Sequence, residues 1–189
     1  MTAYKNFIDD FPCRCRDILN IAKRPALHRD REVTLTLMVA SAGLVVPHER
    51  LKPDSWLGGH PSGDRNTFAD AAGKLESLLR QPFVSSGLCT EANPTWRVGK
   101  LLSVTGDPDS WEDLQKSRPI SKDKTVGGMV SVIRNALAHG NIWTIRDPIE
   151  AIIFVRRVLN DNKVVCHFDF LSVSPHEFNL FSRGGSIFS

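Results

Sequence analysis

The sequence predicts a mainly α protein, an antiparallel helical bundle that carries a C-terminal β-hairpin. Two observations predict this fold class. Apolar residues recur at spacings of three and four in segments before about residue 145, whereas strand-like apolar runs bounded by turn residues follow about residue 150. A chain of 189 residues with 41% apolar composition suits one core. We therefore expect a single domain over residues 1–189, with the bundle at about 1–145 and the hairpin and a short helix at about 150–189.

The first two helices are predicted from their apolar patterns. Near the N-terminus, Pro12 is expected to kink or divide the first helix, because proline lacks the N–H of the helical ladder. A second helix is predicted to begin in the charged cluster 28–32 and to continue over residues 33–44. Because that segment is apolar nearly all round, we expect it at the centre of the bundle. The stripe of the first helix consists of Tyr4, Phe7, Ile8, Phe11, Cys15, Ile18, Leu19 and Ala22.

The middle of the chain gives weaker signals. Residues 58–63 read Gly-Gly-His-Pro-Ser-Gly and predict a loop. A third helix is predicted from about Asn66 to a stop at Pro82. From 83 to 119 the periodicity fades, and residues 96–104 and 110–114 are predicted only as short elements.

The C-terminal third is clearer. A fourth helix is predicted to begin after Ser121, which would be its N-cap. It is predicted to end at Gly140, because glycine most readily adopts the left-handed conformation at a helix C-terminus. Residues 152–171 predict a β-hairpin that turns at 160–162. Residues 175–181 predict a last short helix.

Composition and motifs exclude several classes of protein. The N-terminus lacks the charged-then-apolar order of a secretory signal, and the best apolar run, 33–46, is too short to span a bilayer. We expect a cytoplasmic protein without membrane contact.

The glycine-rich stretch 58–64 lacks the lysine of a phosphate loop, and no Gly-x-Ser-x-Gly motif indicates a hydrolase triad. Residues 115–163 hold nine Lys or Arg against four Asp or Glu, a basic bias that a solvated surface also produces.

The cysteines predict reduced, buried or half-buried thiols. Cys13 and Cys15 form a Cys-x-Cys pair, but no second pair completes a metal site. A metal held by these two residues with His28 is the less favoured alternative. We expect neither a metal nor another cofactor.

The fourth helix has two contrasting faces at about 100° per residue. A narrow apolar seam should face the core of its own chain: Val126, Val130, Ile133 and Leu137. Two glycines in a helix cost roughly 1 kcal/mol each against alanine, and close approach of a second copy of this helix would compensate for them. We therefore predict a homodimer whose seam holds Gly127, Gly128, Ser131 and Ala138, with Asn135 between Arg134 and His139 on its flanks.

Arg134, Asn135 and His139 are the predicted catalytic residues, and their chemistry suits RNA cleavage. Imidazole exchanges protons near neutral pH, so His139 can act as base on a 2′-hydroxyl or as acid on the leaving 5′-oxygen. The fork of Arg134 donates to phosphate oxygens, and Asn135 can orient the imidazole or hold the phosphate. A structural alternative stays open. In it, His139 interacts favourably with the negative end of the helix dipole, and Arg134 is only an exposed residue on the helix surface.

Arg134-Asn135-x3-His139 resembles the Arg-x4-6-His signature of the HEPN superfamily. The segments 30–34 and 47–51 and the hairpin after the motif are similar to a bacterial, plasmid-borne HEPN subfamily. The resemblance implies an α-helical bundle, a homodimer with facing motifs and metal-independent endoribonuclease activity, often in toxin or phage-defence roles. Asp30 and Glu32 are nominal candidates for the polar residue that some members add, although a surface ion-pair cluster is the favoured interpretation.

Two functions from different classes remain open. The first is an endoribonuclease with RNA as substrate. The second is a non-catalytic module that binds RNA or a nucleotide, or that regulates such a nuclease. Because some HEPN members that lost catalysis also lost the Arg or His, the presence of Arg134 and His139 favours the enzyme. The sequence identifies no inhibitor protein.

Overall fold

A computed structural model of the protein describes residues 7–46, 65–89, 91 and 94–183. In that part of the chain the α-helices are α1 Phe7–Leu27, α2 Glu32–Ala40, α3 Arg65–Arg80, α4 Glu112–Gln115, α5 Val126–His139 and α6 Pro175–Arg183. Helix α2 runs directly into a π-helical turn at Ser41–Val45, and short 3-10 turns lie at Phe83–Ser85 and Pro108–Ser110.

The described strands are β1 Arg97–Leu101, β2 Arg118–Pro119, β3 Ile142–Ile145, β4 Ala151–Leu159 and β5 Val165–Val173. They form one antiparallel sheet in the order β2-β1-β5-β4-β3. Strands β4 and β5 pair along most of their length and make the central hairpin. The short strand β3 lies beside β4 at one edge, and β1 and β2 extend the other side.

The predicted helical bundle with only a C-terminal hairpin is therefore wrong. The hairpin is confirmed, but it is the centre of a five-stranded sheet, and the chain is an α+β protein. Strand β1 joins β5 through partners far apart in sequence, such as Arg97 and Ser172. Pairing of this kind leaves no local periodicity, and β3, with four residues, is too short to show one. The same sheet contradicts the α-helical bundle that the HEPN resemblance implied.

Both faces of the sheet are covered. On one face, Ile152, Phe154, Leu171 and Val173 pack beneath the helices and join the main core. On the other face, Ile153, Val155 and Phe170 pack with Leu101 and Trp111 in a second cluster. Because β4 is buried on both faces over 152–155, it reads as a continuous apolar run rather than an alternating one.

Helix α5 is the element that joins the helices to the sheet. Its buried residues are Val126, Met129, Val130, Val132, Ile133 and Ala136. It packs against β4 and β5 on one side and against α3 on another. Full burial of a single Ile, Val or Met side chain contributes about 1.5–3 kcal/mol, so this helix has a large share in the stability of the fold.

The ends of α5 test two sequence expectations. The helix begins at Val126 with Thr125 as its N-cap, whose hydroxyl accepts a hydrogen bond of 3.2 Å from the N–H of Gly128. The predicted N-cap Ser121 is wrong, because residue 121 belongs to a preceding turn in which its carbonyl accepts from the N–H of Lys124. The predicted end at Gly140 is confirmed by a left-handed φ of 69°.

The structure corrects the predictions for the first two helices and confirms two later ones. Helix α1 continues through Pro12 without dividing. Helix α2 buries Thr36 and Ala40, but Met38 is 66% exposed, so α2 does not lie at the centre of a bundle. The third helix and the last short helix are confirmed as α3 and α6. The predicted loop 58–63 and the segment 47–51 lie outside the described residues.

One of the two helix glycines has a neighbour within the same chain. A Cβ atom built on Gly127 would lie 3.0 Å from the backbone oxygen of Leu79 in α3. The same atom on Gly128 would meet only the hydroxyl of Thr125, at 3.5 Å. Packing of α3 on α5 therefore explains Gly127, so Gly127 no longer indicates a second chain, whereas Gly128 is exposed.

Substitutions at these two glycines should separate folding from surface effects. Gly127→Leu should lower the free energy of unfolding by about 1–3 kcal/mol, because the new side chain displaces the α3 backbone. Gly128→Leu should leave it unchanged or raise it by up to about 1 kcal/mol, since leucine is the better helix former. Urea unfolding monitored by tryptophan fluorescence measures both. Equal destabilisation by the two variants would contradict the α3–α5 packing.

A second stability prediction tests the pairing of β1 with β5. Gly99 lies opposite Phe170 in the register, and a Cβ at position 99 would lie 2.6 Å from the Cζ atom of that buried ring. Gly99→Val should therefore lower the free energy of unfolding by about 1–3 kcal/mol. The matched control Lys100→Val, at the exposed neighbouring position, should change it by less than about 0.5 kcal/mol. Two near-neutral variants would contradict this register.

Candidate active site

A pocket of about 350 Å³ lies at the C-terminal end of α5. Its described lining residues are Asn135, His139, Asn141, Arg157 and Leu159. Ligand pockets in proteins usually measure about 300–1,000 Å³, so this one has room for one small organic group. The structure thus brings two of the three predicted catalytic residues, Asn135 and His139, to one pocket.

The pocket forms where β4 extends past the start of β3. The register between these strands ends at Ile142 and Phe154, and one step further the N–H of Val155 donates to the carbonyl of Asn141 at 3.1 Å. Gly140 turns the chain from helix into strand at this point. Arg157 and Leu159 continue along β4 beyond this point and line the pocket together with Asn135 and His139.

His139 and Asn135 lie one helical turn apart. His139 is the last residue of α5 and is exposed, whereas Asn135 is half-buried. Residues four apart lie on the same side of a helix, so an imidazole and an amide reach one ligand together. The imidazole of His139 is therefore accessible to a substrate in the pocket, and proton transfer requires such a substrate within hydrogen-bond reach.

Arg134 occupies a different position. It is half-buried, its Nε atom is shielded from solvent, and it is not among the residues that line the pocket. At about 100° per residue it lies about 140° around α5 from His139. The pocket within one chain therefore assembles His139 and Asn135 without Arg134, and the catalytic assignment of all three residues stays a prediction.

Ser131, predicted for the dimer seam, faces the sheet of its own chain. Its hydroxyl accepts a hydrogen bond of 2.9 Å from Arg156 of β4. The same guanidinium pairs with Asp169 of β5 at 2.7 Å, and Asp169 also lies 3.2 Å from Nε2 of His167. This polar network helps to hold α5 on the β4–β5 hairpin. Of the predicted seam residues, Gly128 and Ala138 are the exposed ones.

Sequence reasoning missed Arg157, Asn141 and Leu159 as pocket residues. The available signal was the Arg156-Arg157 pair, which interrupts an apolar strand. Neighbouring residues of a strand point to opposite faces, so such a pair places one guanidinium on each side of the sheet. Which side meets α5 depends on the tertiary packing, and the sequence does not show it.

The remaining reactive groups lie elsewhere. All four cysteines are free, with Cys15 buried and Cys166 exposed, so Cys166 departs from the predicted burial. Burial raises the pKa of the Cys15 thiol, and burial followed by the charges of Glu177 and Glu91 raises the pKa of Cys89. Raised values keep both thiols protonated and weakly nucleophilic.

Within the described ranges, no group of three or more His, Cys, Asp or Glu residues is arranged to hold a metal ion. Within the same ranges, every helix is either too short or too polar to cross a membrane.

Comparison with known proteins gives one family. A family model described as HEPN pEK499 p136 matches residues 1–184. No curated protein matches the chain, and no solved structure matches it either. The match covers nearly the whole chain, including α5 with its Arg134-to-His139 motif and the sheet. The chain therefore belongs to the HEPN pEK499 p136 family, a plasmid-borne branch of the HEPN proteins.

Proposed function

We propose that the protein is a metal-independent endoribonuclease, with a role in a toxin or phage-defence system. One observation carries the proposal: a HEPN family member keeps both Arg134 and His139, and the exposed His139 opens into a pocket. None of the described residues that line this pocket is acidic. A pocket with a guanidinium, an imidazole and two amides suits a phosphodiester rather than a cation.

The proposed reaction is internal transesterification. His139 accepts the proton of a 2′-hydroxyl, and the 2′-oxygen attacks the adjacent phosphorus. A new P–O2′ bond forms while the P–O5′ bond breaks, and the leaving 5′-oxygen takes up a proton. The products are a 2′,3′-cyclic phosphate and a 5′-hydroxyl. The Arg134 guanidinium stabilises the additional negative charge of the pentacoordinate transition state.

We propose that a second copy of the chain completes this site. Within one chain Arg134 does not line the pocket that contains His139. Gly128, Asn135 and His139 fall within about 40° on α5, and the first and last of them are exposed. A partner helix lying along this stripe would bring its own His139 close to the pocket, so that one histidine acts as base and the other as acid.

The position of Arg134 also supports a second candidate function. A half-buried arginine outside the pocket is compatible with a module that binds RNA or a nucleotide without cleaving it, or that regulates a nuclease. In that case the pocket holds the ligand and the motif has a structural role. Cleavage assays separate the two functions.

Purified protein incubated with single-stranded RNA in excess chelator should cleave it. His139→Ala should lower the rate at least about 100-fold, the usual contribution of a general base, and Arg134→Ala by about 100-fold or more. The matched control is His176→Ala. His176 is exposed on α6, beyond the end of β5 opposite the hairpin turn, and its replacement should leave the rate unchanged.

Three results would count against the nuclease. Equal cleavage by wild type and His139→Ala would show a contaminating activity. Cleavage abolished by chelator would show a metal-dependent reaction. Binding of RNA by wild type without cleavage would favour the non-catalytic module.

The proposed dimer is tested by the mass of the protein in solution and by a substitution at Gly128. The wild-type protein should have twice the 21.1 kDa mass of the chain in light scattering, and Gly128→Leu should produce monomers that no longer cleave RNA. Because Gly128 is exposed, this loss would not come from unfolding, which a thermal melt checks. A Gly128→Leu protein that stays dimeric and active would rule out this seam.

A further inference from the structure

Two adjacent arginines of β4 have opposite roles. Arg156 points to the face beneath α5, where Ser131 and Asp169 accept its hydrogen bonds at 2.9 and 2.7 Å. Arg157 is exposed and lines the pocket beside His139. In the part of the chain that the structure describes, no hydrogen bond or ion pair engages the Arg157 guanidinium. Its charge is therefore available to a ligand.

The surroundings of Arg157 favour an anion that carries a planar group. The asparagine amides, Asn135 and Asn141, offer both donors and acceptors to a base or ribose edge. Leu159 is 51% exposed and gives the pocket an apolar wall. With no carboxylate among the described lining residues, a phosphate in the pocket meets a cation without a competing negative charge.

The backbone at the edge of β4 can also bind a nucleotide. Alternate residues of a strand direct their backbone groups to the same edge, so the groups of Arg157 and Leu159 point the same way as the N–H of Val155. Val155 donates to Asn141, after which the described residues of β3 offer no further pairing. Backbone donors and acceptors at 157 and 159 therefore border the pocket and can hydrogen-bond a nucleotide.

We propose that Arg157, Asn141 and Leu159 form a nucleotide subsite that holds one RNA residue beside His139. Arg157 binds the phosphate next to the one that is attacked, and Asn141 contacts the base or the sugar. This inference rests on the proposed function only in taking RNA as the ligand. Arg157 is a binding residue and not a catalytic one. In the proposed reaction His139 transfers the protons, and Arg134 stabilises the negative charge of the transition state.

The test uses a single-stranded 2′-O-methyl RNA oligonucleotide, which cannot be cleaved because its 2′-oxygens are blocked. Arg157→Gln should weaken binding about 5–20-fold and reduce the slope of log K against log salt by about 0.7, the value for one phosphate contact on a single strand. Arg157→Lys should recover most of the affinity, since lysine keeps the charge. On cleavable RNA, Arg157→Gln should raise KM with little change in kcat.

The matched control is Arg80→Gln, which removes the same charge elsewhere. Arg80 is exposed at the end of α3, where it pairs with Glu76. Its neighbour Leu79 contacts the first turn of α5, about 20 Å along the helix from His139. Arg80→Gln should bind the oligonucleotide as wild type does, and thermal melts should show both variants folded.

The outcomes separate this inference from the nuclease proposal. Wild-type affinity and salt slope in Arg157→Gln would overturn the subsite, and so would equal weakening by Arg80→Gln or no binding of the oligonucleotide by wild type. If wild type binds, Arg157→Gln weakens binding and no protein cleaves RNA, the subsite is supported and the nuclease proposal fails.

Discussion

The packing of α5 on the β4–β5 hairpin is the contact on which the rest of the structure depends. The apolar side of the helix, with Val130 and Ile133, lies over the face of the sheet that carries Phe154 and Leu171. At the rim of this contact, Arg156 joins Ser131 of the helix to Asp169 of the sheet. With the helix fixed in this way, its last turn meets the extended end of β4, and the pocket forms between them.

Ion pairs shielded from solvent are a weak source of stability, and in some proteins they fix the orientation of the elements that they join. Arg156 and Asp169 are partly exposed, with side-chain exposures of 32% and 26%, so their desolvation is incomplete. We infer that this pair chiefly sets the rotation of α5 over the hairpin, while apolar burial holds the two together. The rotation matters because a turn of the helix by one residue, about 100°, would take His139 away from Arg157.

Local patterns predicted the parts of this site that depend on local structure. The motif helix, its end at Gly140 and the hairpin that follows all came from periodicity and turn residues, and the structure confirms them. The sheet was not predictable in the same way, since β1 pairs with β5 across about 70 residues of sequence. Arg157 was missed because its pocket forms only where α5, Asn141 and β4 meet in the fold. Gly127 was misread because Leu79, its neighbour, comes from another helix.

In the proposed reaction a 2′-hydroxyl of the substrate attacks its own phosphodiester beside His139. A DNA oligonucleotide that contains a single ribonucleotide tests this step, incubated with the protein in excess chelator and followed by mass spectrometry of the fragments. We expect one cut, immediately after the ribonucleotide, with a 2′,3′-cyclic phosphate on one fragment and a 5′-hydroxyl on the other. Cuts at deoxynucleotides, or fragments with 5′-phosphate ends, would rule out attack by the 2′-hydroxyl.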